Sequence, residues 1–190
     1  MIILIGFPKS GTCSFQDLFI QLGYNSLHWR CREGYIGTII QNNKKKGLPL
    51  LTGFEKYDCI TQMDVCMSKT DCYWPQLVDF KQLYYENKDS IFILNKRDPV
   101  NLLASFKKWR EMDKRLYHFN PEIIHNKTDA GFIDMAINHY MAVETFFSSE
   151  PTSKFIAYDI EKDTIDTLKT FIDIKHVSVF PKKNVNTMYK

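Results

Sequence analysis

Apolar residues in this chain alternate between short dense runs and stretches of helical spacing. The runs at 1–5, 90–94 and 154–158 have the length and composition of strands buried in a parallel sheet. Residues 25–28 and 58–62 read as two further short strands. Between them, Phe15, Leu18, Phe19 and Leu22 recur at helical spacing and Gly23 supplies a C-cap. A second helix is expected over 33–46, with Tyr35, Ile36, Ile39 and Ile40 inward, broken by Gly47-Leu48-Pro49. A third is expected over 75–87, turning Leu77, Val78, Phe80, Leu83 and Tyr84 to the core. Another begins at Pro99 and carries Val100, Leu103, Ala104 and Phe106. Phe132, Ala136, Tyr140, Val143 and Phe147 mark a long helix over 130–148, and 164–172 reads as the last helix. Segment 113–128, with Tyr117, His118 and His125, has few apolar repeats and reads as a long loop. Strand–helix alternation of this kind predicts an α/β domain with a mostly parallel central sheet covered on both faces, spanning residues 1–190 as one unit.

The first strand runs into Gly6-Phe7-Pro8-Lys9-Ser10-Gly11-Thr12 and then a helix. Loop N–H groups and the unpaired N–H groups of a first helical turn converge on one spot, where the helix dipole favours an anion. Lys9 adds a mobile charge, and Ser10, Thr12 and Ser14 add hydroxyl donors. A nucleotide-hydrolysing loop would carry lysine directly after the second glycine. Here Thr12 stands there and the lysine lies at Lys9, which disfavours an ordinary ATPase or kinase. The strand at 90–94 leads into Asn95-Lys96-Arg97-Asp98-Pro99, so Arg97 sits at a strand's carboxyl end and Ser105 about two turns into the next helix. Guanidinium binds phosphate in bidentate fashion, and ligands of open α/β sheets collect at strand carboxyl ends.

Composition narrows the class. The chain has 190 residues, 44% hydrophobic and 25% charged, within the ordinary globular range. A net charge of +3 does not suggest a nucleic-acid binder. No apolar run approaches a membrane span, and the opening run is too short for a signal peptide core. The five cysteines (Cys13, Cys31, Cys59, Cys66, Cys72) are odd in number and lack CxxC spacing. They indicate no disulfide framework and no metal site, and favour a reducing, cytoplasmic setting.

The segment Pro8-Lys9-Ser10-Gly11-Thr12 resembles the phosphosulfate-binding loop of the sulfotransferases that use 3′-phosphoadenosine 5′-phosphosulfate. Arg97-Asp98-Pro99 with Ser105 resembles the same family's 3′-phosphate motif. Weaker likeness runs through Leu22-Gly23-Tyr24, Leu27-His28, residues 57–64, Phe155 to Asp159, and Phe171-Ile172 with Phe180-Pro181-Lys182, as in the short members of the family. The resemblance implies a P-loop-type three-layer fold and transfer of a sulfuryl group to a hydroxyl, or an amine, of a small-molecule, glycan or peptide acceptor. It implies that Pro8, Lys9, Ser10, Gly11, Thr12 and Cys13 cradle the cofactor, that Arg97 and Ser105 hold its 3′-phosphate, and that Lys9 is the catalytic cation. A general base is expected after the second or third strand, either His28 or Asp64, with imidazole suited to take a hydroxyl proton near neutrality. Lys182 and Lys183 stand where the family often closes a basic stretch over the 3′-phosphate, although histidine is usual after the proline, and a solvated tail fits them equally. Lys44-Lys45-Lys46 reads as a solvated helix end. Of Trp29, Trp74 and Trp109, one is a candidate to stack on adenine. Two other readings fit the same motifs: a P-loop nucleotide kinase with a displaced lysine, and a non-catalytic nucleotide-binding module.

Overall fold

The structure is a computed structural model that describes residues 1–120, 127–175 and 177–182. Its centre is a parallel sheet of five strands: β1 (Ile2–Leu4), β2 (Ser26–His28), β5 (Cys59–Gln62), β8 (Ile91–Lys96) and β9 (Lys154–Asp159), in the order β2-β5-β1-β8-β9. Two short antiparallel strands, β3 (Arg30–Cys31) and β4 (Gly34–Tyr35), extend the β2 edge. The unbroken apolar runs follow from burial on both faces. Ile3, Ile5, Phe92 and Leu94 pack into one core and Ile2, Leu4, Ile93 and Ile156 into the other. Helix α1 (Thr12–Gln21) covers the second core through Phe15, Leu18 and Phe19. On the other face lie α2 (Ile36–Lys45), α4 (Phe80–Glu86), α5 (Pro99–Lys108) and α7 (Asp129–Ser148). This is the expected three-layer α/β architecture.

Gly23 closes α1 as expected: its N–H bonds Ile20 O at 3.0 Å and the Tyr24 N–H bonds Phe19 O at 2.9 Å, the paired bonds of a Schellman stop. Several elements differ from expectation. The helix over 75–87 is two, α3 (Pro75–Val78) and α4, because the buried Asp79 carboxylate turns to Lys44 and the Tyr73 hydroxyl. Lys44, exposed in the last turn of α2 as expected, is also an ion-pair partner, and Val78 is exposed. Val100 and Ala104 also face solvent, while Leu102, Leu103 and Phe106 form the buried stripe of α5. The expected loop over 113–128 instead opens with α6 (Met112–Phe119), which buries Met112, Leu116 and Tyr117. The expected last helix is a 3-10 segment, Ile165–Thr170, whose buried Ile165 and Leu168 stand three residues apart, the repeat of that helix. A hairpin of β6 (Val65–Ser68) and β7 (Asp71–Tyr73) forms a separate two-stranded sheet.

Candidate active site

β1 is flanked by β5, towards which the chain first winds, and by β8, towards which it winds later. The crevice at such a reversal is where α/β sheets bind ligands. Both expected phosphate motifs lie here, one following β1 and the other following β8. Gly6 must be glycine, because a Cβ there would run into the carbonyl oxygen of Asn95. Asn95, fully buried at the end of β8, ties the loop down with three bonds. It accepts from the Gly6 N–H at 2.9 Å and donates to Phe7 O at 3.1 Å and Ser10 O at 3.0 Å. Gly11 caps α1 with φ 77°, a left-handed conformation, and a Cβ there would stand 3.0 Å from the Ile160 side chain. The first-turn N–H groups of α1 are thereby aimed into the crevice.

The resulting cleft has a volume of about 440 Å3, within the usual size of a small-molecule site. Lys9, Gly11, Thr12, Cys13, His28, Arg97, Ser105 and Lys182 all line it. Pro8 and Ser10 are buried beneath the loop and do not line it. Lys183 lies outside the described residues, as do His125 and His176. His118 is exposed on α6, and His139 is buried with its Nε2 2.8 Å from Ile5 O, behind the loop. Trp74 belongs to the core, whereas Trp29 and Trp109 are cleft walls. Lys9 has φ 67° and Trp29 φ 59°, and Arg110 (φ 51°) and Glu111 (φ 50°) follow Trp109. Side chains held in the left-handed region each cost of order 1–3 kcal/mol, and such strain collects at functional sites.

Charge in the cleft is unbalanced in favour of an anion. Among the described residues Lys9 has no carboxylate partner; its Nζ lies 5.1 Å from the Trp109 ring centroid. Burial lowers its pKa; Cys13 opposes the fall, and the Arg97 charge adds a lesser part to it. Arg97 Nη1 donates to Lys9 O at 3.1 Å and Nε to Glu161 Oε1 at 3.1 Å. The same carboxylate accepts from the Asp98 N–H and from Asn101, pinning the start of α5. Tyr140 brackets Arg97 from behind, accepting from its N–H at 3.2 Å and donating to its carbonyl at 3.3 Å. The Ser105 hydroxyl lines the wall with no protein partner among the described residues.

The two candidate bases are separated. His28 lines the cleft, with Nδ1 2.9 Å from Thr61 Oγ1 and Nε2 3.5 Å from Cys13 Sγ. The Thr61 hydroxyl donates to Gln16 Oε1 at 2.9 Å, so its oxygen accepts from His28 Nδ1–H and the lone pair is left on Nε2. Burial pushes the imidazole pKa down to about 4, so the ring is neutral at pH 7. Asp64 is buried behind the cleft, held by Gln62 and Gln76 amides at 3.4 Å each, and burial pushes its carboxyl up to about 7. Gln62 itself reaches the cleft and accepts from Thr12 Oγ1 at 2.9 Å. Asn95, Gln62, Glu161 and Tyr140 were not singled out from the sequence. Only Asn95, beside the basic motif at the end of an apolar run, carried any sign of its place.

A glycine-bounded loop leading into a helix N-terminus, a facing arginine and a crevice at the sheet's switch point define an α/β domain with a cation-lined cleft. The sulfotransferase domain family matches residues 1–154, and the chain belongs to that family. The matched span carries both phosphate motifs and ends where β9 begins; Ile160, Glu161, Asp163, Phe180 and Lys182 complete the cleft beyond it. Among curated proteins no match is found.

Proposed function

We propose that the protein is a sulfotransferase that takes 3′-phosphoadenosine 5′-phosphosulfate as donor and a hydroxyl as acceptor. The observation that carries the reading is the pair of cations at the ends of β1 and β8, Lys9 and Arg97, in one cleft with Lys9 lacking a counter-ion. A half-buried ammonium without a carboxylate partner and a serine hydroxyl without a protein partner, both among the described residues, fit an anionic ligand bearing two separate phosphate groups. Bound there, the donor supplies the sulfuryl group. The loop N–H groups and Lys9 hold its phosphosulfate end, and Arg97 and Ser105 hold the 3′-phosphate. The Lys9 ammonium neutralises charge that grows on the bridging oxygen, so it acts most strongly in the transition state. His28 Nε2 receives the acceptor's proton. Trp29 and Trp109 exclude water from the cleft. The kinase reading would need a carboxylate beside the phosphates to hold magnesium; Asp64 is buried behind Gln62, and the two that line the cleft are engaged elsewhere, Glu161 by Arg97 and Asn101 and Asp163 by the Asp159 N–H. The five unpaired thiols favour a cytoplasmic setting.

The test is incubation with sulfur-35-labelled donor and a panel of glycans, tyrosine peptides and small phenols. Label should move to at least one acceptor and the transfer should vanish in Lys9→Ala. Phosphate transfer from ATP with no sulfate transfer would replace this reading by the kinase one.

A further inference from the structure

Away from the cleft, β6 and β7 place Cys66 and Cys72 directly opposite each other. Their Sγ atoms are 2.8 Å apart, and both residues are buried in the core, at 3% and 9% exposure. Opposed residues of an antiparallel pair have Cα atoms about 4.5–5.5 Å apart, inside the roughly 4.4–6.8 Å that a disulfide spans. The C-x(5)-C spacing gave no sign of this, because the turn at Lys69-Thr70 lacks the glycine or asparagine that marks a tight hairpin. We propose that Cys66 and Cys72 are a dithiol that closes to a reversible intrachain disulfide on exposure to a hydroperoxide.

The two thiols are unequal. The Cys66 thiol lowers the pKa of Cys72, while its own is raised by the same contact. Cys72 is also the more exposed of the two, so it is the attacking thiolate. Its sulfur bonds one peroxide oxygen and the O–O bond breaks. The other oxygen leaves as hydroxide and becomes water with the proton that Cys72 gave up. Cys66 sulfur then attacks the Cys72 sulfenic acid; the S–S bond forms, the S–O bond breaks, and the hydroxide leaves as a second water with the Cys66 proton. The thiols together lose two electrons and the peroxide gains them. A dithiol reductant reverses the step by exchange. The pair lies close to the cleft wall: Arg115 Nη1 donates to Cys66 O at 3.3 Å, and its guanidinium stands 5.9 Å from the Trp109 ring.

The experiment treats the full chain with hydrogen peroxide, blocks remaining thiols with N-ethylmaleimide and digests with trypsin. Cleavage after Lys69 separates the two cysteines, so the disulfide appears as peptide 57–69 joined to peptide 70–81 and disappears with dithiothreitol. Cys59 shares the first peptide, so the assignment rests on Cys59→Ser keeping the joined pair and Cys66→Ser losing it. Oxidation should also raise Tm by roughly 5 °C, the gain for closing so short a loop. Cys66→Ala, which introduces no hydroxyl into the core, should abolish both readouts and serves if Cys66→Ser fails to fold. Absence of the joined peptides in the wild type, or their persistence in Cys66→Ala, overturns the proposal.

Discussion

In the proposed complex Lys9 and Arg97 meet opposite ends of one ligand, and their removal should be felt in different constants. Arg97→Ala takes away a charge-assisted phosphate contact and should weaken binding of 3′-phosphoadenosine 5′-phosphate by about 2–3 kcal/mol. Lys9→Ala should lower kcat more than donor affinity, because its charge is needed most as the bridging bond breaks. Steady-state kinetics beside calorimetric titration of each variant separates the two. A raised donor KM with unchanged kcat in Lys9→Ala would make Lys9 a binding residue only. The base is tested by pH. A base must be unprotonated, so if His28 serves, kcat/KM stays level as pH falls and its acid limb lies near pH 4. Asp64 in that role would put the limb near pH 7. His28→Ala should cost roughly two to four orders of magnitude in kcat and leave donor affinity intact. Both candidates were legible as ionisable residues following strands. Their separation was not, because it depends on which side chain the end of β5 turns inward.

At the scale of elements, the loop after β1 is held less by its own sequence than by the strand beside it. Asn95→Ala would strand the Gly6 N–H and the Ser10 carbonyl and leave the Phe7 carbonyl only its bond from the Ser10 N–H; unsatisfied buried groups cost about 1–3 kcal/mol each. We expect Asn95→Ala to lose about 2–4 kcal/mol of stability in urea denaturation and to bind donor product more weakly than wild type. Equal affinity in a destabilised variant would show that the loop keeps its shape unaided. The strands β1, β8 and β9 and helices α1, α5 and α7 were readable because periodicity alone identifies long or doubly buried segments. The hairpins were not: β3 and β4 have two residues each, and β6 and β7 alternate too briefly to register. α6 escaped because its buried residues, Met112, Leu116 and Tyr117, make a single short stripe among charged neighbours. The break at Asp79 depends on partners from α2 and β7, which no local window contains.

For the whole molecule, buried ionisable groups couple the site to stability. His28 and His139 are each pushed down to about 4 by burial. Between pH 6.5 and 4 the unfolded chain binds protons that the native state refuses, so these groups make stability fall as pH falls. Asp64, pushed up to about 7, works the other way: the native state keeps a proton that the unfolded chain has released. Asp64→Asn should therefore steepen the acid loss of stability by up to about 1.4 kcal/mol per pH unit, one proton's worth. Urea denaturation from pH 6.5 down to pH 5 checks this, and equal slopes for variant and wild type would deny Asp64 its raised pKa. The cleft was legible in outline because two distant motifs each read as a place for a phosphate, and the fold sets them on neighbouring strands. What closes the cleft was not: Trp29 and Trp109 could not be told from the core residue Trp74, and Ile160 and Glu161 come from segments whose chemistry is ordinary until the chain brings them together. The account stands on that ligand. Calorimetric titration with 3′-phosphoadenosine 5′-phosphate, ADP and ATP, with and without magnesium, tests it most directly. Tighter binding of 3′-phosphoadenosine 5′-phosphate, indifferent to magnesium and weakened by Arg97→Ala, is the predicted result; equal or tighter magnesium-dependent binding of ATP would contradict it.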